Sequence, residues 1–419
     1  MTLEHKPTPP ASQPEPGARS RLESAISDRR SAISEQLAAI SDQRSASGDR
    51  RGTVSFVRGL WRIAGADVSS GNRAALLVDG PQTFATMLEQ IAQARNEVAL
   101  ESYIFEGDQT GRTFADALVA AAARGVRVRV LVDWIGSRHT PRSFWHRLRA
   151  GLVELQAFSP PGPRAWLGLV PRDHRKLLVV DGRVGITGGF GISDKWVGDV
   201  ASARPSDRRW RDTAVCIDGP AAADMQRAFD VMWRRAEGTE RRSSSRLLVR
   251  RARGTNLEPG TADAALVGII EGEPWRLRVA RGFQIQAVSA EHTIWIANAY
   301  FVPSVAEVEA LAGAAHDGVD VRVLVPSSSD HPWVRRLTRR FYRRLLRNGV
   351  RIWEWQGAMM HAKSLVVDGR WVRVGSTDFN PLGIAVNYEL DAVIEDPRLG
   401  AAAEAQFLAD LELSVEIRQ

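Results

Sequence analysis

Two copies of a short motif carry the residues best suited to chemistry in this 419-residue sequence. The motif has the pattern H-x-K-x-x-x-x-D, and its copies consist of His174, Lys176 and Asp181, and of His361, Lys363 and Asp368. Each copy begins an apolar run, LLVVDG or SLVVDG, which is typical of a buried strand that ends in a turn. Side chains two positions apart share one face of a strand, so each copy presents an imidazole beside a positive charge.

These groups suit phosphodiester exchange through a covalent intermediate. One neutral imidazole would attack phosphorus while the other, protonated, would donate to the leaving alkoxide, and the two would then exchange roles. Histidine suits both tasks because its pKa lies near neutrality. The lysines would hold the non-bridging oxygens, so we expect a reaction that requires no metal ion and no cofactor.

Other members of the two motif regions have predicted supporting roles. Small residues follow each copy, as Gly188-Gly189 and as Gly375-Ser376, and we expect them to leave room for a phosphate. Asp181 and Asp368 complete the candidate catalytic motifs. Because they lie near the strand ends, they are better suited to stabilising a turn than to performing chemistry.

The motifs lie inside an internal duplication. The paired segments, in the same order in both halves, are ESYIF with NAYFV, GVRVRVLVD with GVDVRVLVP, and HRKLLVVDGR with HAKSLVVDGR. From about residue 75, strand patterns alternate with helical ones, which favours an α/β fold. We therefore predict two duplicated α/β/α lobes.

The domain boundaries follow changes in composition. Residues 1–55 form a Pro-rich tail with a short heptad pattern that predicts a marginal helix. The first lobe covers 56–240, a linker rich in charge, Ser and Gly covers 241–262, and the second lobe covers 263–419.

Composition narrows the class of protein. Hydrophobic residues make up 44% and charged residues 25%, which excludes a collagen-like or wholly disordered chain. The net charge of +7 favours an anionic partner, either nucleic acid or an acidic membrane. A single cysteine, Cys216, excludes an intrachain disulfide. No apolar run is long enough for a transmembrane helix or a secretory signal, so if the protein works on membranes, we expect it to do so from the surface.

The two motifs, with their trailing GG and GS pairs, resemble those of the phospholipase D superfamily. From about residue 70 onward the sequence is similar to its cardiolipin synthase branch, in the stretches YIFEGDQTGRTFADAL, WRDTAVCIDGPAA, AYFVPS and GSTDFNPLGIAVNYELD. The resemblance implies lobes related by a pseudo-two-fold axis, an active site at their interface, and ping-pong phosphatidyl transfer between two phosphatidylglycerol molecules. It also implies a peripheral protein on the cytoplasmic face of an anionic phospholipid membrane.

The resemblance implies roles for individual residues. His174 and His361 correspond to the nucleophile and the acid/base, with His174 favoured as nucleophile. The lysines of the motifs correspond to phosphate clamps. Asp212 and Glu389 correspond to the acidic residues that orient the imidazoles, and Asn380 to a pocket amide.

One departure concerns the first lobe. The family has an asparagine two residues after the GG pair, where this sequence has Gly191. A phosphate pocket with one hydrogen bond fewer is the expected result.

Two further segments bear on the substrate. The loop PPGPRAWLGLVPRD before the first motif, with Met359 and Met360 before the second, offers apolar side chains for acyl chains or for ordinary packing. Residues 333–347 form a basic amphipathic helix that could face lipid or cover the sheet. A phospholipase D with another donor or acceptor, and a nucleic-acid phosphodiesterase, are alternative functions. The latter is disfavoured because no series of stacking aromatics is evident.

Overall fold

The computed structural model describes residues 56–160, 171–198, 208–238 and 264–418. The predicted tail at 1–55, the linker at 241–262 and most of the loop at 160–173 lie outside these ranges, so these predictions stay untested.

Strands and helices alternate along the described chain. The strands are β1 (Asp67–Val78), β2 (Glu97–Ser102), β3 (Arg127–Asp133), β4 (Glu154–Phe158), β5 (Lys176–Val180), β6 (Val184–Gly188), β7 (Thr213–Asp218), β8 (Ala265–Gly272), β9 (Thr293–Asn298), β10 (Asp320–Pro326), β11 (Arg351–Trp355), β12 (Lys363–Val367), β13 (Trp371–Gly375), β14 (Glu389–Glu395) and β15 (Ser414–Ile417). The helices are α1 (Asp79–Gln93), α2 (Gln109–Ala123), α3 (Arg142–Ala150), α4 (Pro220–Ala236), α5 (Arg278–Val288), α6 (Val305–His316), α7 (Pro332–Arg347) and α8 (Pro397–Glu412). Short helical turns cover Leu60–Ala64, Asp194–Trp196 and Leu382–Val386.

The strand order shows the duplication. The order across the sheet is β15-β11-β10-β9-β12-β13-β14-β8-β1-β7-β6-β5-β2-β3-β4. Read outward from the β8–β1 pair, the two sides correspond strand for strand, and β15 is an addition at one edge. The prediction of two duplicated α/β lobes is thus confirmed.

Strand β1 belongs to both halves of the sheet. Its first part, from Asp67, pairs antiparallel with β8, and its second part, from Arg73, pairs antiparallel with β7. The register with β8 shifts between Ser69 and Asn72, where Gly71 adopts a φ of 82° that favours glycine. The strand therefore bends as it passes from one lobe to the other.

Each lobe has its own hydrophobic core between sheet and helices. Strand β5 is buried along its whole length, and β12 is buried except for Ser364, as their uninterrupted apolar runs predict. The apolar face of α7 packs inward through Val334, Tyr342 and Leu345. Its arginines point outward, and Arg339 binds both carboxylate oxygens of Glu354. None of the helices in the described ranges is long and apolar enough to cross a bilayer.

Candidate active site

The two motifs begin at equivalent positions of the two half-sheets. Lys176 at the start of β5 pairs with Ser102 at the end of β2, and Lys363 at the start of β12 pairs with Asn298 at the end of β9. Each motif histidine therefore lies at the carboxyl end of a parallel strand, the edge where α/β sheets bind ligands.

His174 is held by a carboxylate of the opposite lobe. Its Nδ1 lies 3.0 Å from Oε1 and 3.1 Å from Oε2 of Glu389. The Ser376 hydroxyl donates to Oε2 of Glu389, and Leu390 N–H donates to that hydroxyl. An Nδ1–H that donates to Glu389 leaves Nε2 with its lone pair free for chemistry.

His361 has the reciprocal arrangement. Its Nδ1 lies 2.9 Å from Oδ2 of Asp212, which belongs to the first lobe. The Trp196 indole N–H donates to the same oxygen at 2.9 Å, and Thr213 N–H donates to Oδ1 at 2.8 Å. The two imidazoles are thus each oriented by a carboxylate from the other half of the molecule.

Backbone hydrogen bonds repeat this exchange between the lobes. His174 N–H donates to the Tyr388 carbonyl at 3.0 Å, and His361 N–H donates to the Arg211 carbonyl at 2.7 Å. Isolated bridges join Asp173 to Tyr388 and Arg211 to Met360. The backbone at the start of each motif is therefore bound to the opposite lobe, independently of the side-chain contacts.

The two lysines are buried and anchored in the same way. Lys176 Nζ donates to the carbonyl of His174 at 2.6 Å, and Lys363 Nζ donates to that of His361 at 2.7 Å. Each ammonium also lies over a tyrosine ring, Tyr103 at 5.4 Å and Tyr300 at 5.6 Å from the ring centroid. Lys176 thus has further N–H donors for an anionic ligand. Lys363 Nζ also lies 3.2 Å from each ring nitrogen of His361 and 3.4 Å from Asp378 Oδ1, so an anionic ligand would compete with these contacts.

Burial and the neighbouring lysines determine the protonation of the imidazoles. Burial lowers the pKa of both histidines well below the usual value, and Lys176 lowers that of His174 further while Lys363 lowers that of His361. Each lysine also lowers the pKa of the other motif's histidine. The charged groups of the two motifs are thus close enough to influence one another electrostatically.

The acidic partners and one lysine titrate near neutrality. Burial raises the pKa of Glu389 to about 8 and that of Asp212 to about 6, against the opposing effect of the lysines. Burial lowers the pKa of Lys176 to about 8, and the Glu389 carboxylate opposes that shift. Groups with pKa values displaced toward the working pH are typical of acid–base sites.

The glycine pair makes room for a carboxylate, and the prediction that it leaves space for a phosphate needs correction. A Cβ on Gly189 would lie 2.2 Å from Oδ1 of Asp212, and one on Gly188 would lie 2.5 Å from the Thr213 carbonyl. Small residues are therefore required for the close approach of the strand that carries Asp212. Ser376 fills the equivalent place in the second lobe and bonds Glu389.

The absence of an asparagine at Gly191 has a steric reason. A Cβ there would lie 2.8 Å from Cβ of Ile104 and 2.9 Å from the Trp196 ring. The Trp196 indole occupies this space and donates its N–H to Asp212. The place that the family's asparagine would take thus holds an indole that supports Asp212, and the expectation of a phosphate pocket with one hydrogen bond fewer stays a prediction.

The side-chain amide of Asn380, predicted as a pocket amide, forms hydrogen bonds with backbone groups. Its Nδ2 donates to the Tyr300 carbonyl, and its Oδ1 accepts from the N–H groups of Leu382 and Gly383. The polar group beside the lysine is Asp378, whose Oδ1 lies 3.4 Å from Lys363 Nζ. Asp378 is buried, with only 4% of its surface exposed.

The terminal aspartates of the motifs lie at the far ends of β5 and β12 and do not belong with the reacting groups. Asp181 accepts from the N–H groups of residues 95–97, and Asp368 accepts from those of residues 291–293. Both have left-handed backbones, with φ of 54° and 51°. Each carboxylate therefore fixes a strand-to-strand turn and the start of the neighbouring strand.

Several side chains at the site were not identified from the sequence. The rings of Tyr103 and Tyr300 lie 4.9 Å from His174 and 5.8 Å from His361, centroid to centroid. Their signal in the sequence is the paired segments ESYIF and NAYFV, in which Tyr103 and Tyr300 occupy the same position. Trp196 had no sequence signal at all. Met359 and Met360 are buried and pack in the interior, so they do not form an exposed apolar approach.

Comparison with known proteins agrees with this geometry. The family model described as "Cardiolipin synthase, PLD-like domain" matches residues 87–233 and 285–411, one match in each lobe. The chain belongs to this family. Both matches contain a complete histidine–lysine motif and the carboxylate that orients the other lobe's histidine. The protein is thus a phosphatidyltransferase of the phospholipase D superfamily.

Curated relatives extend over most of the chain. A cardiolipin synthase of Listeria monocytogenes is 31% identical over 356 residues, which cover 84% of this chain and 72% of the relative. Cardiolipin synthase A of Pseudomonas syringae is 30% identical over 367 residues, covering 86% and 73%. Among solved structures, phosphatidylserine synthase of Haemophilus influenzae matches with a TM-score of 0.65 over 87% of this chain and 92% of the other. At 14% identity that likeness shows the fold alone.

Proposed function

We propose that the protein transfers a phosphatidyl group from one phosphatidylglycerol molecule to a second, forming cardiolipin and releasing glycerol. The observation that carries the proposal is the reciprocal arrangement of two imidazoles. Each is oriented by the opposite lobe's carboxylate and accompanied by a buried lysine. The names of the curated relatives support the choice of lipid substrate.

In the first half of the reaction, Nε2 of His174 attacks the phosphorus of the donor lipid. The bond between phosphorus and the glycerol oxygen breaks, and glycerol leaves. His361, which gains a proton when the anionic phosphodiester enters the site, donates that proton from Nε2 to the glycerol oxygen. His174 has the nucleophile role because its side chain is 13% exposed, against 4% for His361. The positive charge that develops on the imidazole during attack favours the ionised form of Glu389.

In the second half, a hydroxyl of another phosphatidylglycerol enters the place that glycerol left. Its proton passes to His361, its oxygen bonds to phosphorus, and the nitrogen–phosphorus bond of His174 breaks. Lys176 and Lys363 bind the non-bridging oxygens, where negative charge increases in both transition states. An acceptor hydroxyl and water compete at this step, so exclusion of water determines whether transfer or hydrolysis prevails.

The working location in this proposal is the cytoplasmic surface of an anionic membrane. The net charge of +7 supports attraction to such a surface. The apolar face of α7 is occupied by packing, so only its outward arginines would contribute to that attraction.

Mass spectrometry after incubation with pure phosphatidylglycerol vesicles tests the proposal. A four-chain lipid together with free glycerol supports it. Phosphatidic acid as the only lipid product would instead favour hydrolysis, and cleavage of DNA without lipid turnover would favour a nuclease. Phosphohistidine is labile in acid, so the intermediate of the unmodified chain should be trapped by quenching at alkaline pH and its site mapped without exposure to acid. Modification at a residue other than His174 would reverse the assignment of roles.

A further inference from the structure

An exposed apolar tip lies beside the active-site strand of the second lobe. It comprises Trp275 and Leu277 in the loop between β8 and α5, together with Pro381 and Leu382 at the adjacent helical turn. The exposed fractions are 74% for Trp275, 41% for Leu277 and 55% for Leu382. Burial of the indole ring is the main way in which a tryptophan stabilises a fold, and Trp275 leaves about three quarters of its surface in water. We therefore expect this exposed apolar cluster to have a function.

The backbone holds this tip in a defined conformation. Trp275 N–H donates to the Ala385 carbonyl at 2.7 Å, which joins the loop to the turn that contains Leu382. Trp275 and Leu277 both have left-handed backbones, with φ of 65° and 52°, which are unfavourable for bulky side chains. Such conformations persist where the surrounding structure imposes them, and they concentrate at functional loops.

The strand register places the tip close to the reacting groups. Gly272, the last residue of β8, pairs directly with Glu389, the carboxylate that orients His174. Trp275 follows Gly272 by three residues, so it lies within about 10 Å of it. Tyr388 precedes Glu389 in the chain, and its ring centroid lies 5.0 Å from Cζ of Arg235. Arg235 also contacts Glu273, which belongs to the same loop as Trp275.

Positive charge surrounds the tip. The guanidinium groups of Arg235, Arg276 and Arg278 lie 3.7, 3.7 and 3.4 Å from the carboxylate of Glu273. Three guanidinium groups thus lie beside one carboxylate in the loop that carries Trp275. The side chain of Arg276 is 47% exposed and lies between the two apolar residues Trp275 and Leu277 in the chain.

We propose that the apolar tip inserts into the interfacial region of an anionic phospholipid bilayer, with the surrounding arginines bound to lipid phosphates. The inference rests on the proposed function, because it assigns the surface through which the site reaches bilayer substrates. Tryptophan is suited to the headgroup boundary, where its ring is apolar and its indole N–H can bond to water. Arginine beside it adds attraction to acidic headgroups.

Flotation with two kinds of vesicle tests this surface. The full chain is mixed with vesicles of phosphatidylcholine alone or of phosphatidylcholine and phosphatidylglycerol in equal parts, and the bound fraction is measured. Trp275→Ala should weaken binding to both kinds roughly tenfold, through loss of apolar burial. Arg276→Gln should weaken binding to the anionic vesicles about fivefold and leave the neutral ones unaffected.

Val288→Ala is the matched control. Val288 is 84% exposed, but it lies at the opposite end of α5, so its replacement should leave vesicle binding unchanged. Thermal unfolding of each variant verifies that the fold is retained. The proposal is overturned if Trp275→Ala binds like the unmodified chain, or if Val288→Ala loses as much affinity.

Vesicle binding tests the docking surface, whereas lipid turnover tests the proposed phosphatidyl transfer, so the two hypotheses can fail independently. Turnover of phosphatidylglycerol by the unmodified chain, with vesicle binding insensitive to Trp275 and Arg276, would reject the docking surface and retain the proposed function. Vesicle binding that depends on both residues, without any lipid product, would retain the docking surface and reject the proposed reaction.

Discussion

Glu389 of the second lobe lies 3.0 Å from Nδ1 of His174 in the first lobe, and Asp212 of the first lobe lies 2.9 Å from Nδ1 of His361 in the second. Both pairs join residues far apart in sequence across the lobe interface. The orientation and the proton-binding state of each histidine therefore depend on correct assembly of the two halves.

Neutralising either carboxylate should slow catalysis while the protein stays folded. In Glu389→Gln and Asp212→Asn the imidazole loses the acceptor that fixes its tautomer and stabilises its positive charge. We expect kcat to fall by about 10²- to 10⁴-fold. Steady-state assays measure the loss, and circular dichroism verifies the fold. A kcat within twofold of the unmodified enzyme would contradict the orienting role.

The dependence of kcat/KM on pH should be bell-shaped with its maximum near the two pKa values of about 8. The rising limb reflects loss of the proton from Glu389, which must be ionised to accept from His174. The falling limb reflects loss of the proton from Lys176, whose ammonium form binds phosphate. In Glu389→Gln the rising limb at that position should disappear. A rate that keeps increasing well above pH 9 would argue against the lysine as an anion clamp.

Asp378 places a negative charge beside the lysine of the second lobe, and the first lobe has no equivalent carboxylate at the corresponding position. It lies 3.4 Å from Lys363, whereas the corresponding position of the first lobe is Gly191. Its negative charge raises the pKa of Lys176 and of His174. Asp378→Asn should thus lower KM for an anionic lipid and move the falling limb of the pH profile to lower pH. An upward displacement of that limb would be inconsistent with this charge arrangement.

The terminal aspartates should matter for stability and not for chemistry. Asp181→Ala removes the acceptor of three backbone N–H groups and places alanine in a left-handed conformation. We expect a loss of roughly 1–3 kcal/mol in the free energy of unfolding. Denaturant titration measures it, with Asp368→Ala as the equivalent change in the other lobe. Activity per folded molecule should stay within a few-fold of normal, and abolished turnover in a fully folded variant would return Asp181 to the catalytic set.

Restoring the family's asparagine at Gly191 should be harmful. The new side chain would collide with Ile104 and with the Trp196 ring, and it would displace the indole that donates to Asp212. We expect Gly191→Asn to cost about 1–3 kcal/mol of stability and to lower kcat. A double-mutant cycle with Trp196→Ala tests the steric cause, because Gly191→Asn should cost less stability in the Trp196→Ala background than in the unmodified chain. An unaffected melting temperature in the single variant would rule out the clash.

The parts of the site that repeat are predictable from the sequence. His174, Lys176, His361 and Lys363 stand out because each pair has strand spacing and the whole pattern occurs twice. The α/β class and the duplication follow from the same periodicity. These features are visible in a single sequence because they depend on the spacing of residues that are close together in the chain.

The remaining features depend on contacts between distant segments. Trp196 reaches Asp212 only because the fold brings its short turn against the strand, and no local pattern encodes that approach. The role of Gly189 likewise depends on Asp212 in the neighbouring strand. The resemblance suggested the acidic residues, but the assignment of each one to the other lobe's histidine became visible only in three dimensions.

The reciprocal exchange of carboxylates has a consequence for any shorter version of this protein. A polypeptide with one lobe would hold a histidine and a lysine, but its own acidic residue would point away from that histidine. Such a half-length chain would be inert as a monomer and would gain a working centre only by self-association through the face that carries the motif. Covalent linkage of the two halves makes that assembly independent of protein concentration.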